Sequence, residues 1–186
     1  DHEWLTNIAL AKLYPIIHAQ GLAVFFAFLA TASLLIQTSF PIKKWAFVPF
    51  VLVTGSLIPF IGIRPQIITW VFFSILLFIL FNPKVCKWRF ILPFLFLVWA
   101  NLHGGFGVGI ASLVIVTVTR MIERRRIFYK DIALLFLCAT STLINPYGIR
   151  LWRELWMSIS DTSLRWNISE WNPAVFTLIF SLWAFV

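Results

Sequence analysis

Arg64-Pro-Gln-Ile-Ile-Thr-Trp-Val-Phe-Phe-Ser-Ile-Leu-Leu-Phe-Ile-Leu-Phe-Asn-Pro-Lys-Val-Cys-Lys-Trp-Arg89 is the stretch on which the fold turns. Residues 65–82 carry no charge and are nearly all apolar. A run of this length reads as a membrane-spanning helix, since a bilayer core asks for about 20 helical residues. Pro65 stands where a first helical turn tolerates proline, and Asn82-Pro83 is a helix stop. One end of the run meets a single polar turn, Arg64-Pro65-Gln66. The other meets a basic loop holding Lys84, Lys87 and Arg89.

That asymmetry repeats along the chain. Basic loops lie at 41–45 (Lys43, Lys44), 83–89 and 120–130 (Arg120, Arg124, Arg125, Arg126, Lys130), and they alternate with breaks of different chemistry. They hold ten of the fifteen Lys and Arg residues against Glu123 and Asp131, which is the whole formal charge of +8. Everywhere else Lys12, Arg64, Arg150, Arg153 and Arg165 balance Asp1, Glu3, Glu154, Asp161 and Glu170. The positive-inside rule places the basic loops in the cytoplasm and the balanced breaks on the external side. It also accounts for the charge without nucleic acid as a partner.

Composition agrees. The chain is 61% hydrophobic and 12% charged with a mean hydropathy of +0.92, whereas a soluble domain is about a quarter charged. The pattern predicts an all-α protein, a polytopic transmembrane helical bundle with external amphipathic helices. Its single transmembrane domain covers 1–186. An external helix at 2–18 sets Trp4, Leu5, Ile8 and Leu13 against Asn7 and Lys12. Spans follow at about 21–37, 45–62, 65–82, 90–100, 104–119, 131–144 and 174–186. A second external helix at 147–165 sets Trp152, Leu155 and Trp156 against Arg153, Glu154 and Asp161. Starting at Asp1 and ending inside an apolar run, the sequence reads as an internal piece of a longer membrane protein. Cys86 and Cys138 fall at different predicted depths and make no disulfide framework. Trp4, Trp45, Trp88, Trp99, Trp166 and Trp171 lie near predicted span ends, as an interfacial aromatic belt would. Asn167-Ile168-Ser169 matches a glycosylation acceptor.

The spans at 90–100 and 131–144 are short, so Asn101, His103 and Asn145 are predicted to sit below the outer interface, in a polar cavity that opens outward. The external breaks supply the candidate site. Paired carboxylates at Asp1 and Glu3 suit deprotonation of a hydroxyl or the holding of a divalent metal ion; an ordinary helix cap is the alternative. Arg64 suits an anionic group, phosphate above all, or an ion pair with Asp1, Glu3 or Glu170. In Trp99-Ala-Asn-Leu-His-Gly-Gly-Phe-Gly-Val-Gly109, Gly104 and Gly105 predict a reversal at positive φ with backbone amides open to an anion. Gly105 and Gly109 also have the spacing of small-residue helix packing. Asn101 and His103 are too costly for a merely packed turn. Gln66, Tyr147, Arg150 and Glu170 complete the candidates for substrate binding. His2, His18 and His103 lack metal-ligand spacing.

Five ordered stretches, Asp1-His-Glu-Trp-Leu5, Arg64-Pro-Gln66, Trp99-Ala-Asn-Leu-His-Gly-Gly-Phe106, Asn145-Pro-Tyr-Gly148 and Ser169-Glu-Trp171, resemble a family of large prokaryotic multi-span proteins similar to the GT-C superfamily of glycosyltransferases. The resemblance implies transfer of a sugar from a polyprenyl-phosphate donor to an acceptor on the external face of a prokaryotic plasma membrane. It puts Asp1 or Glu3 in the role of base or metal ligand and Arg64 on the lipid phosphate, with His103 and Glu170 as further cavity residues. Two other readings fit the same residues: a transporter or flippase for a lipid-linked or anionic solute, and a non-catalytic membrane assembly subunit. The absence of a visible repeat weighs against transport.

Overall fold

A computed structural model describes residues 3–38, 55 and 61–161. Among these residues all regular structure is helical. In chain order it is α1 (Trp4–Thr38), α2 (Gln66–Phe81), a 3-10 turn (Cys86–Ile91), α3 (Leu92–Leu102), α4 (Phe106–Arg124), α5 (Tyr129–Ser141) and α6 (Arg150–Ser160). The described residues are therefore all-α. Two of the helices, α1 with 35 residues and α4 with 19, are long and apolar enough to cross a membrane. The apolar α2 has 16 residues, α3 has 11 and α5 has 13. The expected spans at 174–186 and, except for Gly55, Ile61 and Gly62, at 45–62 lie outside the described residues. So do Asp1, Glu170, Asn167 and the Lys43-Lys44 pair.

α1 is two helices joined at a bend. Pro15 lacks the N–H for an internal hydrogen bond, and its ring crowds the preceding turn. The chain then turns at His18 (φ 53, ψ −171). This is where the sequence pattern separates an amphipathic segment at 2–18 from an apolar one at 21–37. The second half packs Phe26 and Ala30 on Ile67 of α2, with Leu10 from the first half folded against the same cluster.

The main core surrounds Trp99 of α3, which is wholly buried. Its ring stacks between Phe72 of α2 (centroids 5.7 Å apart) and Phe96 (5.6 Å). Trp99 therefore belongs to the core and not to an interfacial belt: its apolar rings fill the helix junction, and its indole N–H finds a partner inside (Thr69, described below). α4 comes close to this ring because residue 109 is glycine. A Cβ there would lie 2.5 Å from Cζ3 of Trp99 and 2.9 Å from Cε1 of Phe96. The Gly109→Leu variant is expected to lose about 1–3 kcal/mol of stability by overpacking, read as a lower unfolding midpoint in detergent by near-ultraviolet circular dichroism.

The α3–α4 reversal corrects one expectation. Neither Gly104 nor Gly105 has positive φ; among the described glycines only Gly148 does, at 54°. The chain turns instead through an extended His103 (φ −157, ψ 142), and Gly105 sits at φ −62. Gly105 is needed for space: a Cβ on it would run into the Thr69 side chain of α2.

Two basic loops meet at one end of the bundle. The Nη2 groups of Arg89 and Arg120 both donate to the carbonyl of Leu80, at 3.4 and 3.2 Å. That carbonyl lies in the last turn of α2, where acceptors lack helical partners and a cation is favoured. Asp131, in the first turn of α5, lies 3.8 Å from Arg89 Nη1 and 3.7 Å from Arg120 Nη1. Burial, and next the charge of Arg120, push the Arg89 guanidinium below its ordinary value, while Asp131 opposes both. The sequence put these residues on one face; the fold brings them to one carboxylate.

Candidate functional site

At the opposite end of α2, the start of α1 meets the α3–α4 turn. Thr69 and Leu80 are eleven residues apart on α2, roughly 17 Å along the helix. His103 Nε2 lies 3.1 Å from Glu3 Oε1, with the two side chains 15% and 22% exposed. This contact joins two candidate residues that are a hundred positions apart in sequence. Both side chains are half-buried, so the contact is partly sheltered from solvent.

The rest of the site holds that pair in place. Trp4 Nε1 donates to Asn101 Oδ1 at 3.0 Å, and Thr6 Oγ1 donates to the Leu102 carbonyl at 2.6 Å. These two bonds fasten the first turn of α1 to the end of α3. Asn101 Nδ2 donates to the carbonyls of Leu97 (2.8 Å) and Ile144 (2.9 Å). A single buried amide therefore links α1, its own helix and the segment after α5. His103 Nδ1 is 2.8 Å from Thr69 Oγ1 and 2.9 Å from the Gly105 backbone nitrogen. Trp99 Nε1 donates to the same Thr69 oxygen at 3.1 Å. The Gly105 amide is thus turned toward His103, so the anion cradle expected there loses that donor.

The Asn145-Pro-Tyr-Gly turn borders this end through Ile144. Asn145 Oδ1 accepts from the Tyr147 N–H at 2.8 Å, and Asn145 Nδ2 donates to the Thr142 carbonyl at 2.6 Å. Asparagine turns of this kind close the backbone locally. Tyr147 packs its ring against the main core. Arg150, on the first turn of α6, is exposed. Trp152 Nε1 ties α6 back to Thr142 Oγ1 at 2.9 Å. Arg64 and Gln66 are half-buried at the start of α2, on the side of Thr69; the Arg64 carbonyl accepts the Ile67 N–H at 3.1 Å.

The structure therefore brings Glu3, Asn101 and His103 together and sets Arg64 and Gln66 at the same end of α2. It gives no direct contact from Tyr147 or Arg150 to the Glu3–His103 pair. Among the described residues no three potential metal ligands come together. Sequence reasoning missed Thr69 and the inward role of Trp99. Thr69 did leave a trace: it is three residues after Gln66 in an otherwise apolar run, on the same helical face. No protein-family model, curated protein or solved structure matches this chain.

Proposed function

We propose that this protein is a membrane-embedded glycosyltransferase of GT-C type, moving a sugar from a polyprenyl-phosphate donor to a hydroxyl acceptor on the external face. The observation that carries the reading is the Glu3–His103 contact at 3.1 Å. A carboxylate and an imidazole from two resembling motifs meet at the end of the bundle away from the Arg89–Arg120–Asp131 cluster. That separation supports a topology in which the basic end faces the cytoplasm and the Glu3 end faces outward. The two helices long enough to cross a membrane support the setting.

In this reading Glu3 takes the proton of the acceptor hydroxyl as that oxygen attacks the anomeric carbon. The bond from the anomeric carbon to the phosphate oxygen breaks, and the polyprenyl phosphate leaves with the electron pair. Direct displacement inverts the anomeric configuration. Arg64 supplies a guanidinium suited to the phosphate oxygens, with Asp1, Gln66 and Glu170 as further members of the site. Asn101, with both amide hydrogens and its oxygen engaged, holds the elements rather than the substrate. Membranes containing the protein, given radiolabelled polyprenyl-phosphate sugars and a broad acceptor panel, are expected to form labelled product that is lost on Arg64→Ala substitution. No transfer by the protein across that panel would contradict the proposal.

A further inference from the structure

We infer that Thr69 is a positioning residue that, with the Gly105 amide, fixes His103 in the tautomer carrying its proton on Nε2, so that His103 donates to Glu3 and Glu3 is the proton-accepting member of the pair. Two of the groups around His103 can only donate. An indole N–H can only donate, so Thr69 Oγ1 accepts from Trp99 Nε1 at 3.1 Å. The Thr69 hydroxyl hydrogen is then available for His103 Nδ1, 2.8 Å away. A backbone N–H likewise only donates, and that of Gly105 points at the same Nδ1 at 2.9 Å. Two donors converge on this nitrogen, so it carries no proton. The proton of the neutral ring is on Nε2, which faces Glu3 Oε1 at 3.1 Å.

The arrangement also needs Gly105, because any Cβ there would displace the Thr69 side chain. A ring nitrogen's partner sets which nitrogen is protonated and how the ring is aimed. Trp99, Thr69 and Gly105 therefore act on Glu3 through His103 without reaching a substrate themselves. The chemical role this gives Glu3 rests on the proposed transfer reaction; the tautomer does not.

The test is nitrogen-15 NMR of the protein labelled at its histidine rings, in detergent or lipid bilayers. The three histidines are His2, His18 and His103, and loss of signals in His103→Gln assigns the third. The expected spectrum for His103 shows an unprotonated Nδ1 and a protonated Nε2. Thr69→Ser keeps that pattern. Thr69→Val, and Thr69→Ala as a second probe, lose the single-tautomer pattern while keeping the helical circular dichroism of the parent. A proton on Nδ1 in the parent protein would overturn the inference. So would either hydroxyl-free variant with an unchanged His103 spectrum. A correct tautomer with no transfer activity would instead count against the proposed function alone.

Discussion

Replacing Glu3 by Gln is expected to slow sugar transfer by about 10²–10⁴-fold, the range for loss of a positioned general base. Gln keeps the size of the side chain and an oxygen that can accept from His103, so the contact geometry at 3.1 Å has a neutral replacement. What it loses is the charge and the ability to take a proton. The change should therefore fall on kcat, with little effect on the concentration of donor needed for half-maximal rate, because uniform binding is left in place. Unfolding in detergent should shift little, since Glu3 is half-buried rather than sealed in the core. Initial rates over a range of donor concentrations check both parts.

Replacing Asn101 by Leu is expected to cost about 2–4 kcal/mol, at the upper end for single substitutions. Asn101 is 7% exposed. It accepts from Trp4 Nε1 and donates to the carbonyls of Leu97 and Ile144. Leu fills similar space but leaves the Trp4 indole N–H and the Ile144 carbonyl without this partner, while the Leu97 carbonyl keeps the helical N–H of residue 101. Each orphaned buried group costs about 1–3 kcal/mol, offset in part by the added apolar side chain. The loss should be local as well as global: the first turn of α1 is tied to the α3 end by the Trp4–Asn101 bond and by Thr6 on the Leu102 carbonyl. Hydrogen exchange is expected to rise first in residues 4–10, before the core around Trp99. Unchanged exchange there would mean that Thr6 alone holds the segment.

Where the described helices bend and stop was legible in the sequence because it follows from prolines and apolar length. The bend at His18, the stop at Asn82-Pro83 and the brevity of α3 were all signalled by Pro, Asn and the lengths of apolar runs. The cost of placing Asn101 and His103 in a packed turn was legible too, and both turn out to be hydrogen-bonded on several sides. The partners were not legible, because they come from distant elements. His103 meets Thr69, 34 residues away, and Asn101 meets Trp4, 97 residues away. Hydropathy is blind to such bonds, since a Thr in an apolar helix and a Trp at its end look like filler. The glycines misled for a related reason. Gly105 suggested an unusual backbone angle, but it is required by what approaches it, and that approach is set by α2. Asp131 is a similar case: sequence counted it as one negative charge in a basic loop, and the fold makes it the shared partner of two arginines.

A double-mutant cycle between Glu3 and His103, read as initial transfer rates of the parent, Glu3→Gln, His103→Gln and the double variant, tests whether the two side chains work as one unit. Residues that act as one unit give strongly non-additive losses. The double variant is expected to be no slower than the slower single one. Losses that multiply would show two independent residues, and would contradict the claim that the Glu3–His103 contact is the working centre of this protein.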